Sequence, residues 1–279
     1  GSTEFKPEAG RYHLYLAHAC PWANRTWIMR NLKGLKDAIS ISFVDPFMAE
    51  DGWVFTDAHA DTLYGHAFLR DVYTHGDAKY SGRVTVPVLW DKKLERIVNN
   101  ESREIIRMLD HEFGPVADKS TDYAPAGLLL QIEETITAIY EPINNGVYRS
   151  GFARSQEAYD SAVSDVFSAL DHWESVLAAQ RYLCGAQITE ADICMFTTLV
   201  RFDAVYHTHF KCNLKRIRDY EHLSGYVRDL YQTEEFRETV HMAEIKEHYF
   251  RSHDTINPYR IVPVGPELDL EAPHSRAAI

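Results

Sequence analysis

Three observations in this chain of 279 residues predict its fold class. Short β-forming and helical runs alternate through Leu109 in the order β-α-β-(insert)-β-β-α. Pro87 interrupts one of the apolar strands. Beyond a stretch rich in Gly, Pro, Asp and Ser, from Gly114 to Ala126, the pattern is helical almost to the end. Together they predict an α/β N-terminal domain of thioredoxin-like order over residues 1–115, with an insertion at about 46–82. An all-α C-terminal domain is predicted over 125–279.

The elements follow in order. Tyr12 to Ala17 is a short apolar run that reads as a strand. Trp22 to Leu32 has apolar residues at helical spacing and carries Arg30 and Lys33 at its far end. Ile39 to Asp45 alternates and is rich in β-formers, so it reads as a second strand. Pro46 to Gly82 is aromatic, His-rich and poorly periodic, which suits an insertion with short helices. Val84 to Trp90 is a third strand broken by Pro87. Asp91-Lys92-Lys93 reads as a hairpin turn into a fourth strand at Arg96-Ile97-Val98. A helix then runs from Asn100-Glu101-Ser102 through Leu109, with Ser102 or Asn100 as N-cap. In the second domain helices are predicted over 125–140, 155–177, 190–202, 220–231 and 243–249. Thr189-Glu190-Ala191-Asp192 reads as a capping box with Asp in place of Glu. From Thr255 the chain carries Pro258, Pro263, Pro266 and Pro273 without amphipathic period, as an extended C-terminal arm would.

Composition narrows the function. With 45% apolar and 25% charged residues the chain is that of a globular protein. Its net charge of −12 argues against nucleic acid or an anionic membrane as the main partner. No run approaches the length needed to cross a bilayer. No signal peptide is read, and the leading Gly1-Ser2 resembles a cloning scar. Cys20, Cys184, Cys194 and Cys212 show no paired spacing, so reduced thiols in a cytoplasmic compartment are expected.

The most informative stretch is Cys20-Pro21-Trp22-Ala23-Asn24-Arg25. It joins the first strand to the first helix. Proline in the first helical turn suits a missing N–H, and the unpaired N–H groups there favour a thiolate at Cys20. A buried, inert cysteine is the plainer alternative. With alanine at position 23 the chemistry would be monothiol. Arg25 can support that thiolate or a ligand, or simply be solvated. Val86-Pro87-Val88 is the second signal. A cis bond before Pro87 would leave the backbone of Val86 open to a bound peptide, whereas an edge strand would tolerate proline without any ligand. Glu101-Ser102 is the third. A carboxylate and a hydroxyl at a helix start can take an α-amino group and an α-carboxylate, although such a pair alone is more often a cap.

In that order these residues resemble the glutathione transferase superfamily, and most closely its Xi class, the glutathionyl-hydroquinone reductases. The resemblance rests on Cys-Pro-Trp-Ala-x-Arg at 20–25, Gly52-Trp53, the run from Ser81 to Asp91, and Asn100-Glu101-Ser102. It continues in Asn144 to Tyr148, Arg201-Phe202-Asp203 through Tyr206, and His248-Tyr249-Phe250, so it covers nearly the whole chain. It implies a glutathione transferase fold, glutathione as co-substrate, no metal, and a homodimer. It also implies that Trp53, Arg83, Val86, Glu101 and Ser102 bind glutathione, with Pro21, Arg25 and Pro87 in support. Tyr148, Tyr206 and Tyr249 would line the site for the aromatic part of the substrate and act with Cys20 in catalysis.

The activity so implied is reduction of a glutathionyl-hydroquinone through a mixed disulfide between Cys20 and glutathione. Two other readings remain at this level. One is a general omega-like thiol transferase or dehydroascorbate reductase, which needs no tyrosine cluster. The other is a non-catalytic module, which needs none of Cys20, Arg83, Glu101 and Ser102. His207-x-His209-x-x-Cys212 has no fourth ligand at zinc spacing and is read as no metal site.

Overall fold

The computed structural model describes residues 4–279, and Gly1-Ser2 lies outside them. The chain divides into two compact units. One holds residues up to Asp122 together with Thr239–Ser252, and the other holds Tyr123–Glu238 with His253–Ile279.

The first unit begins with β1 (Tyr12–Leu16), α1 (Pro21–Leu32) and β2 (Ile39–Phe43). After the insertion and its helix α2 (Leu69–Gly76) come β3 (Val88–Asp91), β4 (Arg96–Asn99) and α3 (Ser102–His111). The four strands form one mixed sheet in the order β2-β1-β3-β4. β1 runs parallel to β2, with Tyr12 opposite Ile39, and antiparallel to β3, with Tyr15 opposite Val88. A parallel pair needs a crossover, which α1 supplies. β1 lies centrally and is buried at all five positions, which is why it reads as an unbroken apolar run and not an alternating one. α1 packs against α3 and is buried at every position except Trp22.

β3 is shorter than the sequence reading. It starts at Val88, directly after Pro87, because proline has no N–H to give the ladder. The Val86–Pro87 bond is cis, as expected. Asp91 turns the hairpin, its Oδ1 accepting the N–H of Lys93 at 2.8 Å and of Leu94 at 3.2 Å. The buried guanidinium of Arg11 pairs with the same carboxylate. In the insertion, periodicity is replaced by one buried carboxylate. Asp61 accepts Tyr15 Oη (3.1 Å), Leu63 N (3.0 Å) and His66 N (3.1 Å), tying the loop to β1.

The second unit is helical: α4 (Leu129–Ile139), α5 (Gly146–Gly151), α6 (Gln156–Leu177), α7 (Glu190–Arg201), α8 (Glu221–Tyr231) and α9 (Glu234–Arg237). α4 starts four residues later than predicted. The turns Tyr140–Asn144 and Phe202–Tyr206 are π-helical, and neither they nor α5 and α9 were expected. Ser155 caps α6, its Oγ accepting Ala158 N at 3.2 Å. The capping box at Thr189 and Asp192 is present. The C-terminal arm is extended until a 3-10 turn at Arg276–Ala278. Gln232 Nε2 donates to Leu270 O and Ala272 O, while buried Arg276 donates to Leu177 O, Gln180 O and Arg181 O.

The last helix, α10 (Met242–Ser252), is longer than the predicted 243–249. Residues Thr239–Ser252 group with the first unit, whereas the sequence reading assigned them to the helical domain. Asn24 Nδ2 donates to Thr239 Oγ1 at 2.7 Å, and Ser252 Oγ accepts Met48 N at 3.0 Å. Among the described residues no helix is long and apolar enough to cross a membrane.

Candidate active site

The site is built outward from the junction of β1 and α1. Cys20 is the N-cap of α1, in an extended backbone conformation, and Pro21 follows in the first turn. The Cys20 carbonyl accepts the first helical bond from Asn24 N at 3.0 Å. Its sulfur accepts the N–H of Ala23 at 3.5 Å. An N–H aimed at sulfur from a helix start favours negative charge there, the condition a nucleophilic thiolate requires. Sγ also lies 3.7 Å from the carbonyl oxygen of Val86. The first and second sequence signals therefore meet in space.

The other thiols differ. Cys20 is half-buried, while Cys184, Cys194 and Cys212 are buried, and none of the four is in a disulfide. Burial pushes the Cys184 thiol up, and the Cys212 thiol is pushed up to about 12 by the same cause. These two are held as neutral thiols. Arg25, which a solvated helix would leave exposed, is only 3% exposed.

Glu101, not Ser102 or Asn100, is the N-cap of α3. Its Oε1 accepts Arg103 N at 3.3 Å, and Ser102 Oγ donates to the same oxygen at 3.4 Å. Asn99 Oδ1 takes the N–H of Glu101 at 2.6 Å, so the capping chain is fixed from its N-terminal side. Ser102 is buried and the Glu101 side chain exposed, which leaves an accessible carboxylate at a helix start. Arg83 is exposed, and Val86 and Pro87 are buried.

Trp53 stacks on His248, with ring centroids 5.0 Å apart and planes 17° from parallel. His248 Nδ1 donates to Pro46 O at 2.8 Å, which fixes the plane of the stack. Tyr249 follows on α10 and is 1% exposed. His248 was part of a motif read in the sequence, but its stack on Trp53 was not, and a carboxylate surrounded by imidazoles went unnoticed. Glu244 accepts a hydrogen bond from His18 Nδ1 and lies 3.3 Å from His59 Nε2, while His18 stacks on His241. Burial works to raise the Glu244 carboxyl, but the His18 bond and the neighbouring imidazoles hold it below its usual value.

In the second unit, Tyr148 and Tyr206 come together with ring centroids 5.9 Å apart. Phe210 stacks on Tyr206 at 5.5 Å, with planes 13° from parallel. Gly151 makes room for it, since a Cβ there would fall 2.1 Å from the Phe210 ring. Tyr206 is fully buried and Tyr148 half-buried. The structure gives His209 and Cys212 of the trio His207, His209 and Cys212 other surroundings. His209 Nε2 faces His253 Nδ1 at 3.1 Å, and Cys212 is a buried thiol.

Comparison with known proteins places this geometry. Residues 19–112 match the family model for the glutathione S-transferase N-terminal domain, and residues 156–229 match the one for its C-terminal domain. The chain is 55% identical over 280 residues to the glutathionyl-hydroquinone reductase YqjG of Escherichia coli K12, covering 99% of this chain and 85% of that protein. A solved structure of an Xi class transferase from Natrialba magadii superposes with a TM-score of 0.97 at 55% identity, over 100% of this chain and 87% of its own. The glutathione-bound structure of Escherichia coli YqjG gives 0.97 at 54% identity, over 99% and 91%. The chain belongs to the glutathione S-transferase family and, within it, to the Xi class of glutathionyl-hydroquinone reductases.

Proposed function

We propose that this protein reduces glutathionyl-hydroquinones to hydroquinones, with glutathione as co-substrate and glutathione disulfide as the second product. The observation that carries the reading is the half-buried Cys20 sulfur, held at the start of α1 against the N–H of Ala23 and beside the Val86 carbonyl. The Cys20 thiolate attacks the sulfur of the thioether. A sulfur–sulfur bond forms, the carbon–sulfur bond breaks, and its electron pair goes to a ring carbon that takes up a proton. A second glutathione thiolate then attacks the mixed disulfide, giving glutathione disulfide and restoring the Cys20 thiolate.

In this reading Trp53, Arg83, Val86, Glu101 and Ser102 hold glutathione. The accessible Glu101 carboxylate suits its α-amino group, and the N-terminus of α3 beside Ser102 suits its α-carboxylate. Pro21, Arg25 and Pro87 support the thiol loop. Tyr148, Tyr206 and Tyr249 supply phenolic donors to the hydroquinone oxygens and the ring carbon, a task suited to positioned O–H groups. No step calls for a metal. A reducing cytoplasm suits four thiols without a disulfide. Assembly as a homodimer belongs to the same reading, and light scattering on the purified protein checks it.

The deciding experiment joins turnover to mass spectrometry. Wild-type protein given glutathionyl-hydroquinone without excess thiol is expected to gain one glutathione, on Cys20. Cys20→Ser is expected to release no hydroquinone yet still bind glutathione, because a hydroxyl stays protonated and attacks sulfur poorly. An adduct on Cys184, Cys194 or Cys212 in place of Cys20 overturns the assignment.

A further inference from the structure

Two segments assigned to glutathione, the loop ending at Val86 and the cap of α3 at Glu101, are separate in sequence and are joined by one side chain. Tyr73 lies on α2 in the insertion and is 1% exposed. Its phenol donates to Thr85 O at 2.7 Å and accepts Thr85 N at 3.2 Å. The same oxygen accepts Asn100 Nδ2 at 3.2 Å. A phenol offers one donor and two acceptor sites, and here all three are used. Thr85 immediately precedes Val86, and Asn100 immediately precedes Glu101.

The loop is held at a second point nearby. Tyr80 packs against Tyr73 with ring centroids 4.8 Å apart, and its phenol donates to Arg83 O at 2.6 Å. Gly82 leaves room for it, since a Cβ would fall 2.5 Å from the Tyr80 oxygen where that phenol now sits. The chain from Arg83 to Thr85, which has no regular structure of its own, is thus fixed by two phenols. Only the Tyr73 phenol also reaches the α3 cap.

We infer that Tyr73 is a positioning residue for glutathione: its hydroxyl sets the Val86 backbone against the Glu101 cap, so that the two recognise the tripeptide together. This rests on the assignment of Val86 and Glu101 to glutathione. Tyr73 itself touches no reacting atom in this role. Its removal acts through the two segments, on binding that is the same in ground and transition states.

The test is Tyr73→Phe, which keeps the ring and its packing on Tyr80 while removing the three bonds. It is read by calorimetric Kd for glutathione and by KM and kcat for hydroquinone release, beside Glu101→Gln as reference. The expected result is a Kd and KM for glutathione raised roughly five- to thirtyfold, with kcat at saturation within about twofold. Asn100→Ala is expected to weaken binding by a smaller factor. Added to Tyr73→Phe it should weaken it no further, because the two share one bond. Should Tyr73→Phe not fold, Asn100→Ala on its exposed side chain carries the test alone. An unchanged Kd in Tyr73→Phe beside a raised Kd in Glu101→Gln overturns the positioning role only. An unchanged Kd in both overturns the assignment of the pocket as well. A lower melting temperature with unchanged Kd, or a loss confined to kcat, marks a structural role and overturns the inference.

Discussion

Cys20 is the cap of α1 and, in the proposed mechanism, the nucleophile, and both roles draw on the same N–H groups. That is why it was legible: the cap, the proline after it and the strand before it are neighbours in sequence. Glu101 was legible as a residue at the start of α3 but not as its N-cap. Ser102 is the better N-cap by preference. The structure buries Ser102 and gives the cap to Glu101, whose N–H is taken by Asn99 Oδ1. Tyr73 and the contact of His248 with Trp53 could not be found from sequence, because each involves residues that only folding brings near. In the proposed function the Glu101 carboxylate and Ser102 hydroxyl contact glutathione alike before and during reaction. Glu101→Gln or Ser102→Ala should therefore raise KM for glutathione about ten- to a hundredfold, the scale of a charge-assisted hydrogen bond, with kcat little changed. Initial rates over a glutathione series check this, and an unchanged KM in both variants would place the pocket elsewhere.

Elements set by local chemistry matched the sequence closely, and elements set by distant contacts did not. α6 begins directly after Ser155, where the sequence reading starts that helix, and α7 begins at its sequence cap, Thr189. The sequence reading ends the first helix of the second domain at Tyr140, where the structure continues through the turn Tyr140–Asn144. Pro142 lies within it, removing an N–H from the helical ladder, and the backbone widens to a π turn. In the second π turn Asp203 accepts Ile217 N at 2.6 Å and Arg218 N at 3.1 Å, a contact no local pattern announces. The α7 cap also reaches beyond its own helix. Asp192 accepts Thr189 N (2.8 Å), Thr189 Oγ1 (2.9 Å), Leu183 N (2.9 Å) and Tyr226 Oη (2.9 Å), all buried. Asp192→Ala leaves these donors buried without partners and should lower stability by about 3 kcal/mol or more. Thr189→Ala removes only one hydroxyl and should cost about 1 kcal/mol. Urea unfolding at neutral pH compares the two. Equal losses would show that the carboxylate serves the cap alone.

Over the whole molecule, the two-part division was legible from the Gly- and Pro-rich stretch near residue 120. The grouping of Thr239–Ser252 with the first unit was not, since it depends on single contacts such as Asn24 with Thr239. The response to acid likewise belongs to the molecule, because each unit holds a histidine kept in its neutral form, His13 buried and His253 half-buried. Burial takes His13 down to about 3 in the first unit, and His253 down to about 4 in the second. Below an unfolded value of 6.5 the unfolded chain takes up protons at these sites and the folded chain does not. Their share of stability is therefore complete above pH 6.5 and falls as pH drops toward the folded values. Asp192 and Asp203, raised by burial, work in the opposite sense, so the histidine share is best isolated by difference. His13 sits on β1 with Nδ1 2.8 Å from Ser40 Oγ and Nε2 without a partner, so phenylalanine can replace its ring and leave only an exposed serine behind. Between pH 6.5 and 4.5 the wild type should lose about 2.3 kcal/mol more than His13→Phe, because the unfolded imidazole goes from half to fully protonated across that window while the folded one stays neutral. Above pH 6.5 the two stability curves should run parallel. Parallel curves at every pH in urea unfolding would mean that His13 takes up its proton in the folded chain as readily as in the unfolded one.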